Sequence, residues 1–298
     1  MTLFIRSTMI IKINPLLILM LVVCSALLLS KGVFAKAQGE YPAGITELTI
    51  ESSDQRMSSL IYTAAGKGPH PTMLLLHGYP GNEKNLDVAQ AMRREGWNVV
   101  FFHYRGAWGS EGEFSFQGAE ADVQSVLNYI MDNKVAKKLA IDTNKISIVG
   151  HSMGGHMALA GILDNPNVNC AVTYDGANMG KGLLSDLAVT KMWSDYSDQL
   201  FMLNGWSGKK MVAEINDHGE GLDLVKRVNT LNGRPVFIIA ADSNVIPMET
   251  QITPLVRALK ATKNSNISYL LIEDDHSFSS SRLKLITETA SFLNANCR

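Results

Sequence analysis

The sequence predicts an α/β domain with a mostly parallel central sheet, helices on its flanks and a helical cap insertion. Three observations predict it. Short β-branched and aromatic runs alternate with amphipathic segments of helical period along most of the chain. The first two strand-like runs have no helix between them, so they predict an antiparallel edge. Between about 177 and 233 the alternation stops, and a Met-, Trp- and Leu-rich stretch without strand character takes its place.

The elements follow in order. Ile45–Ile50 and Met57–Thr63 are the edge strands, and Pro71–Leu76 is an apolar run ending at His77-Gly78. Asn85–Glu95 carries Leu86, Val88, Ala89 and Met92 on one helical face. Trp97–Tyr104 reads as a buried strand, and Glu120–Ala136 as a helix with Val123, Val126, Leu127 and Ile130 on one side. Lys145–Val149 is a strand and Met153–Leu163 a helix. Cys170–Tyr174 is the next strand, then comes the cap, expected to pack its apolar residues over the sheet. Pro235–Ala241, helix Thr250–Ala261, strand Ile267–Ile272 and helix Ser281–Leu293 complete the chain.

Composition narrows the class. The 298 residues are 46% hydrophobic and 18% charged, with 24 Gly, 9 Pro and 3 Cys, which excludes a collagen, a low-complexity disordered chain and a disulfide-stapled miniprotein. A formal charge of -1 leaves no basic stripe for nucleic acid. Residues 1–14 hold Arg6 and Lys12 and no acid, residues 15–30 are apolar, and small residues follow at Ala35 and Ala37. This predicts a signal peptide over 1–35, with cleavage after Ala35 or Ala37, a mature domain over 36–298 and export to the periplasm or the exterior. The alternative is an uncleaved membrane anchor over 15–30, because that run approaches the roughly 20 residues that span a bilayer. Val23 is too bulky to make Cys24 a lipid-anchored cysteine. Cys170 and Cys297 are free to pair in an oxidising compartment, and spacing alone does not decide whether they do.

The chemistry concentrates at Gly150-His151-Ser152-Met153-Gly154-Gly155, which lies between a strand and a helix. Such a turn holds a serine in a strained conformation with its hydroxyl clear of the sheet, and glycines at 150 and 154 permit the close strand–helix approach. A nucleophilic serine needs a base, and the base needs an acid that fixes its tautomer. His276 follows the last strand. Asp242 follows the strand before it, and Asp175 follows the strand Cys170–Tyr174. His151 is expected beside the site and His156 in the packing. Arg105 is expected in a structural ion pair, and Asp274 and Asp275 in the loop that positions His276. No histidine pairs with Cys or acids at a metal-ligand spacing, and GHSMGG departs from a dinucleotide fingerprint, so no metal and no cofactor are expected.

These residues resemble the α/β-hydrolase superfamily, and within it the prolyl oligopeptidase-like and dienelactone hydrolase-like serine hydrolases. The resemblance covers nearly all of 36–298. It rests on His77-Gly78-Tyr79-Pro80-Gly81, on His103-Tyr104-Arg105-Gly106 through Gly112, on the GHSMG turn, on Asp242-Ser243-Asn244-Val245 and on His276. It implies a triad of Ser152, His276 and Asp242, with Asp175 as the rival acid, and an oxyanion hole from the N–H groups of Tyr79 and Met153. Relatives with an aspartate nucleophile open epoxides or displace halides, which Ser152 disfavours. The apolar cap favours small acyl esters. A short peptide or amide is the alternative substrate, and a non-catalytic binding protein on the same scaffold is the alternative of another class. The substrate partner is in either case a small molecule, with membrane contact only through an uncleaved 15–30.

Overall fold

The computed structural model describes residues 40–298, apart from 244 and 264. The expectations for residues 1–35 and Cys24 lie outside the described residues. Among the described residues, no helix is long and apolar enough to cross a membrane.

Eight strands form one sheet: β1 (Gly44–Ser52), β2 (Gln55–Thr63), β3 (His70–Leu76), β4 (Asn98–Phe102), β5 (Ile141–His151), β6 (Val168–Tyr174), β7 (Val236–Ala241) and β8 (Ile267–Ile272). Their order is β1-β2-β4-β3-β5-β6-β7-β8. The β1–β2 and β2–β4 pairs are antiparallel and the remaining pairs parallel. The helices are α1 (Leu86–Arg94), α2 (Phe116–Met131), α3 (Asn133–Lys138), α4 (Met153–Asp164), α5 (Leu187–Asp198), α6 (Gly208–Leu222), α7 (Leu224–Arg227), α8 (Thr253–Lys260) and α9 (Arg282–Asn296).

The period of two along each strand divides the core between the faces. Leu74 and Leu76 of β3, Val100 of β4 and Ile148 of β5 pack with α2 and α4. Met73, Leu75, Val99 and Val149 pack on the opposite face with Val88 and Met92 of α1 and Leu285 and Leu293 of α9. Burial on both faces explains why the central strands are nearly continuous apolar runs.

The helix expected over Glu120–Ala136 is two helices. Asp132 ends α2 with extended backbone, and its carboxylate caps α3 by accepting from the N–H groups of Lys134 and Val135. Such a cap is worth about 1 kcal/mol, enough to divide a marginal helix. The insertion between β6 and β7 consists of α5, α6, α7 and two single 3-10 turns at Lys181–Leu184 and Val228–Leu231. Asp186, Ser207 and Asp223 cap its three helices with their side chains. Cys170 and Cys297 form a disulfide with a Cα–Cα distance of 6.0 Å. It fastens the middle of β6 to the end of α9.

Register aligns the C-terminal ends of the parallel strands. Leu76 sits beside Gly150, His151 beside Tyr174, and Ala241 beside Ile272. The loops that begin there carry Tyr79, Ser152, Asp175, Asp242 and His276, the edge where ligands bind in open α/β sheets.

Candidate active site

Ser152 lies between β5 and α4 with φ 58° and ψ -123°, a conformation that L-residues rarely adopt. Its N–H donates to the Tyr174 carbonyl at 2.9 Å, and its carbonyl accepts from Ala177 N–H at 3.1 Å. These two bonds hold the strained residue from β6. The glycines around it are obligatory. A Cβ on Gly150 would overlap the Gly154 carbonyl oxygen, and one on Gly154 would overlap that of Leu76. A Cβ on Gly78 would lie 2.9 Å from Ser152 Cβ, so the loop after β3 rests directly against the serine.

Two backbone N–H groups flank that contact. Met153 opens α4, where the first N–H groups have no intrahelical acceptor and the helix dipole is positive. Neither Met153 N–H nor Tyr79 N–H has an acceptor among the described residues. The Tyr79 side chain turns to the cap. Its hydroxyl donates to Ser197 Oγ on α5 at 2.7 Å and accepts from Trp206 Nε1 at 2.5 Å. Burial pushes this phenol up to about 12, so it stays protonated.

His276 lies in the loop after β8, half-buried, and it lines with Ser152, Gly78, Tyr79 and Glu83 an open polar cleft of about 160 Å³. Its Nδ1 contacts Asp175 Oδ2 at 2.6 Å. This corrects the expected pairing with Asp242. Asp175 is fully buried, and its carboxylate also accepts from Ala241 N–H and Ser243 Oγ, each at 3.1 Å. Asp242 is exposed, and its N–H continues the sheet to the Ile272 carbonyl. The physical reason lies at the end of β6. Asp175 turns with φ 42°, which aims its carboxylate across the end of β7 toward the β8 loop. Aspartate tolerates that left-handed conformation better than most residues.

The loop carrying His276 is held from several sides. Asp275 accepts from the N–H groups of Ser277 and Ser279, and Arg282 donates to the Ser277 carbonyl at 2.9 Å. His151 Nε2 donates to the His276 carbonyl at 2.7 Å. Burial, with His276 adjacent, drives the His151 imidazole down to about 3 and keeps it neutral. His156 is also buried. Its Nδ1 accepts from Met179 N–H, so its Nε2 donates to Glu120. Arg105 pairs with the buried Asp122 at 2.5 Å. Sequence reasoning missed Ser243, Ser197 and Trp206, whose hydroxyl and indole groups gain meaning only from contacts between segments distant in the chain.

On its other side Ser152 lines a narrow apolar slot of about 30 Å³, walled by Phe116, Met179, Leu183, Trp193, Met211 and Ile246. Among the described residues, no group of three or more His, Cys, Asp or Glu side chains is placed to hold a metal.

This sheet with its flanking helices recurs in known structures. The 2,6-dihydroxy-pseudo-oxynicotine hydrolase superposes with a TM-score of 0.65 at 17% identity, covering 86% of this chain and 68% of that one. An esterase of Pyrococcus furiosus gives 0.64 at 17% identity, covering 86% and 92%. The chain has the α/β-hydrolase fold. An acylaminoacyl peptidase of Pyrococcus horikoshii shares it too, with a TM-score of 0.66 at 16% identity over 92% of this chain and 43% of that one. Residues 60–186 match the BD-FAE family model, a stretch that runs from β2 past Ser152 and Asp175 into the cap. Among curated proteins, an uncharacterized protein of Mycobacterium tuberculosis is 26% identical over 139 residues, 46% of this chain and 47% of that protein. The protein bem46 of Schizosaccharomyces pombe is 31% identical over 105 residues, 35% and 33% of the two chains. The chain spans about half the length of the curated relatives it matches, or less.

Proposed function

We propose that this protein is an exported serine hydrolase of small acyl esters, with Ser152 as nucleophile, His276 as base and Asp175 as acid. One observation carries the reading. A serine on a strained strand–helix turn shares a cleft with a histidine whose far nitrogen meets a fully buried carboxylate. A surface serine and a surface histidine have no need of either device.

The chemistry follows from the geometry. Asp175 accepts the Nδ1 proton of His276, which leaves Nε2 as the basic nitrogen. His276 takes the Ser152 proton as Oγ attacks the carbonyl carbon. The oxyanion that forms is received by the N–H groups of Tyr79 and Met153, a donor pair of which each member is worth about 3–4 kcal/mol of transition-state stabilisation. His276 then returns the proton to the departing alcohol oxygen. Water attacks the acyl-enzyme with His276 again as base, and the acid leaves with Ser152 restored. The apolar slot suits the acyl group and the open polar cleft suits the leaving group. No step draws on a cofactor or metal. The buried Cys170–Cys297 bond supports an oxidising compartment and therefore export.

The second reading is a serine amidase or peptidase, favoured by the open cleft, which leaves room for an extended leaving group beside Glu83. Kinetics of the wild type and Ser152→Ala on p-nitrophenyl esters and on aminoacyl and prolyl p-nitroanilides test both. Ester turnover abolished by Ser152→Ala is expected. Turnover on anilides alone moves the protein to the peptidases, and equal background rates for both proteins sink the catalytic reading in favour of a binding scaffold.

A further inference from the structure

The slot beside Ser152 is not the only apolar space under the cap. A second, surface-open space of about 240 Å³ adjoins it, lined by Val189, Met192, Val245 and Pro247 together with the polar Ser185, Thr250 and Gln251, with Met192 and Val245 exposed. The two share three lining residues, Leu183, Trp193 and Ile246. Leu183 and Ile246 are buried, while Trp193 of α5 is half-buried and has the largest side chain of the three. Phe116 and Met211, which also line the slot, are buried and line no part of the second space.

We propose that Trp193 is the specificity-determining wall that limits this enzyme to short acyl chains and separates the acyl slot from a latent chain-binding cavity. At about 30 Å³ the slot is roughly an eighth of the space beyond the wall, at about 240 Å³, so it suits a short acyl chain and not a long one. The wall is held in place by the cap's own hydrogen bonds. Ser197 Oγ donates to the Trp193 carbonyl at 2.7 Å and accepts from the Tyr79 hydroxyl, and the Trp193 ring packs edge-on against Tyr196 at 5.8 Å. Truncating the indole joins the two spaces into one continuous apolar channel leading away from Ser152. The selectivity part of this inference rests on Ser152 accepting an acyl group.

The test is chain-length selectivity of the wild type, Trp193→Ala, Trp193→Phe and Ile246→Ala. It is read as kcat/KM on p-nitrophenyl acetate, butyrate and octanoate, and as inactivation rates with ethyl and octyl fluorophosphonates. The wild type is expected to favour acetate over octanoate by at least about tenfold. In Trp193→Ala the octanoate-to-acetate ratio rises by about 200-fold, the effect of four newly buried methylenes at about fourfold each. Trp193→Phe stays near the wild type. Ile246→Ala thins the same partition from the loop after β7 and shifts the ratio in the same direction, which covers the case of an unfolded Trp193→Ala. An unchanged ratio in whichever of these two truncations melts within a few degrees of the wild type overturns the proposal. If no ester is turned over but Ser152 takes the ethyl probe faster than the octyl probe, and Trp193→Ala reverses that order, the wall stands and the esterase reading falls. If Ser152 takes neither probe in any protein, both fall together.

Discussion

The residue that holds His276 can be decided by one pair of substitutions, Asp175→Asn and Asp242→Asn. In the structure Asp175 Oδ2 meets His276 Nδ1 at 2.6 Å and Ser243 Oγ at 3.1 Å, while Oδ1 accepts from Ala241 N–H at 3.1 Å. All three partners are donors. An asparagine has one oxygen and one NH2 group. With its oxygen toward Ala241, the NH2 group faces His276 and favours the tautomer with Nδ1 unprotonated and Nε2 protonated. That imidazole has no lone pair for the Ser152 proton. Loss of the acid in a triad of this kind costs about 10⁴-fold in turnover, which corresponds to about 5.5 kcal/mol of barrier. Asp242 is exposed, and the bond it makes to β8 uses its backbone N–H, which asparagine retains. Asp242→Asn is therefore expected to stay within about threefold of the wild type, as surface substitutions do. The assay is kcat/KM on p-nitrophenyl acetate, with thermal melts to confirm that both variants fold. A loss of about 100-fold or more in Asp242→Asn, with Asp175→Asn near the wild type, refutes the assignment.

Three other outcomes are open to measurement. Reducing the Cys170–Cys297 bond, which closes a loop of 127 residues, lowers unfolding stability by about 2–5 kcal/mol in denaturant titrations with and without dithiothreitol; unchanged midpoints refute it. Burial holds His77 and His151 near 3 and His103 near 4, below the 6.5 of exposed imidazole, so the unfolded chain binds protons first. Stability is complete above pH 6.5 and falls as pH drops from 6.5 toward 3, by about 2 kcal/mol for each such histidine at pH 5; a flat urea midpoint between pH 7 and 5 contradicts it. Tyr79→Phe leaves the backbone N–H in place but strands Trp206 Nε1 and frees Ser197, so kcat/KM on p-nitrophenyl acetate falls about 5–30-fold, the effect of 1–2 kcal/mol; wild-type kinetics disprove a role for the hydroxyl.

Much of the fold was legible because its signals are local. The runs 71–76, 97–104 and 235–241 are apolar and β-branched because both sheet faces bury them, and the missing helix after 45–50 announced the antiparallel edge. The GHSMGG turn was legible for the same reason, since its glycines answer to contacts within a few residues and to the strand next door. The partner of His276 was not. Asp175 and Asp242 each end a strand, and the motif around Asp242 favours it by pattern. What separates them is burial and backbone conformation: a left-handed Asp175 before Gly176 against an exposed Asp242. The Asp-Gly pair at 175 and 176 was the available signal, since both residues suit a sharp reversal. The tie between Tyr79 and Trp206 joins residues 127 positions apart and left no trace in spacing.

The cap bears on selectivity through how it is attached. Ala107 bridges Leu203, and the loop 106–114 exchanges backbone hydrogen bonds with Met202 and Asn204. Glu214 of α6 accepts from the N–H groups of Phe116 and Gln117, capping α2 from outside its own segment. Arg227 of α7 reaches Glu120 and Asp164 on the body. Opening the cap as a body breaks all of these together, and each net hydrogen bond is worth about 1 kcal/mol, more where a charge takes part. A cap attached in this way differs from a loop poised at the low end of local stability. Selectivity then falls to the fixed walls of the slot rather than to the extent of an opening, and the wall with open apolar space behind it is the indole of Trp193.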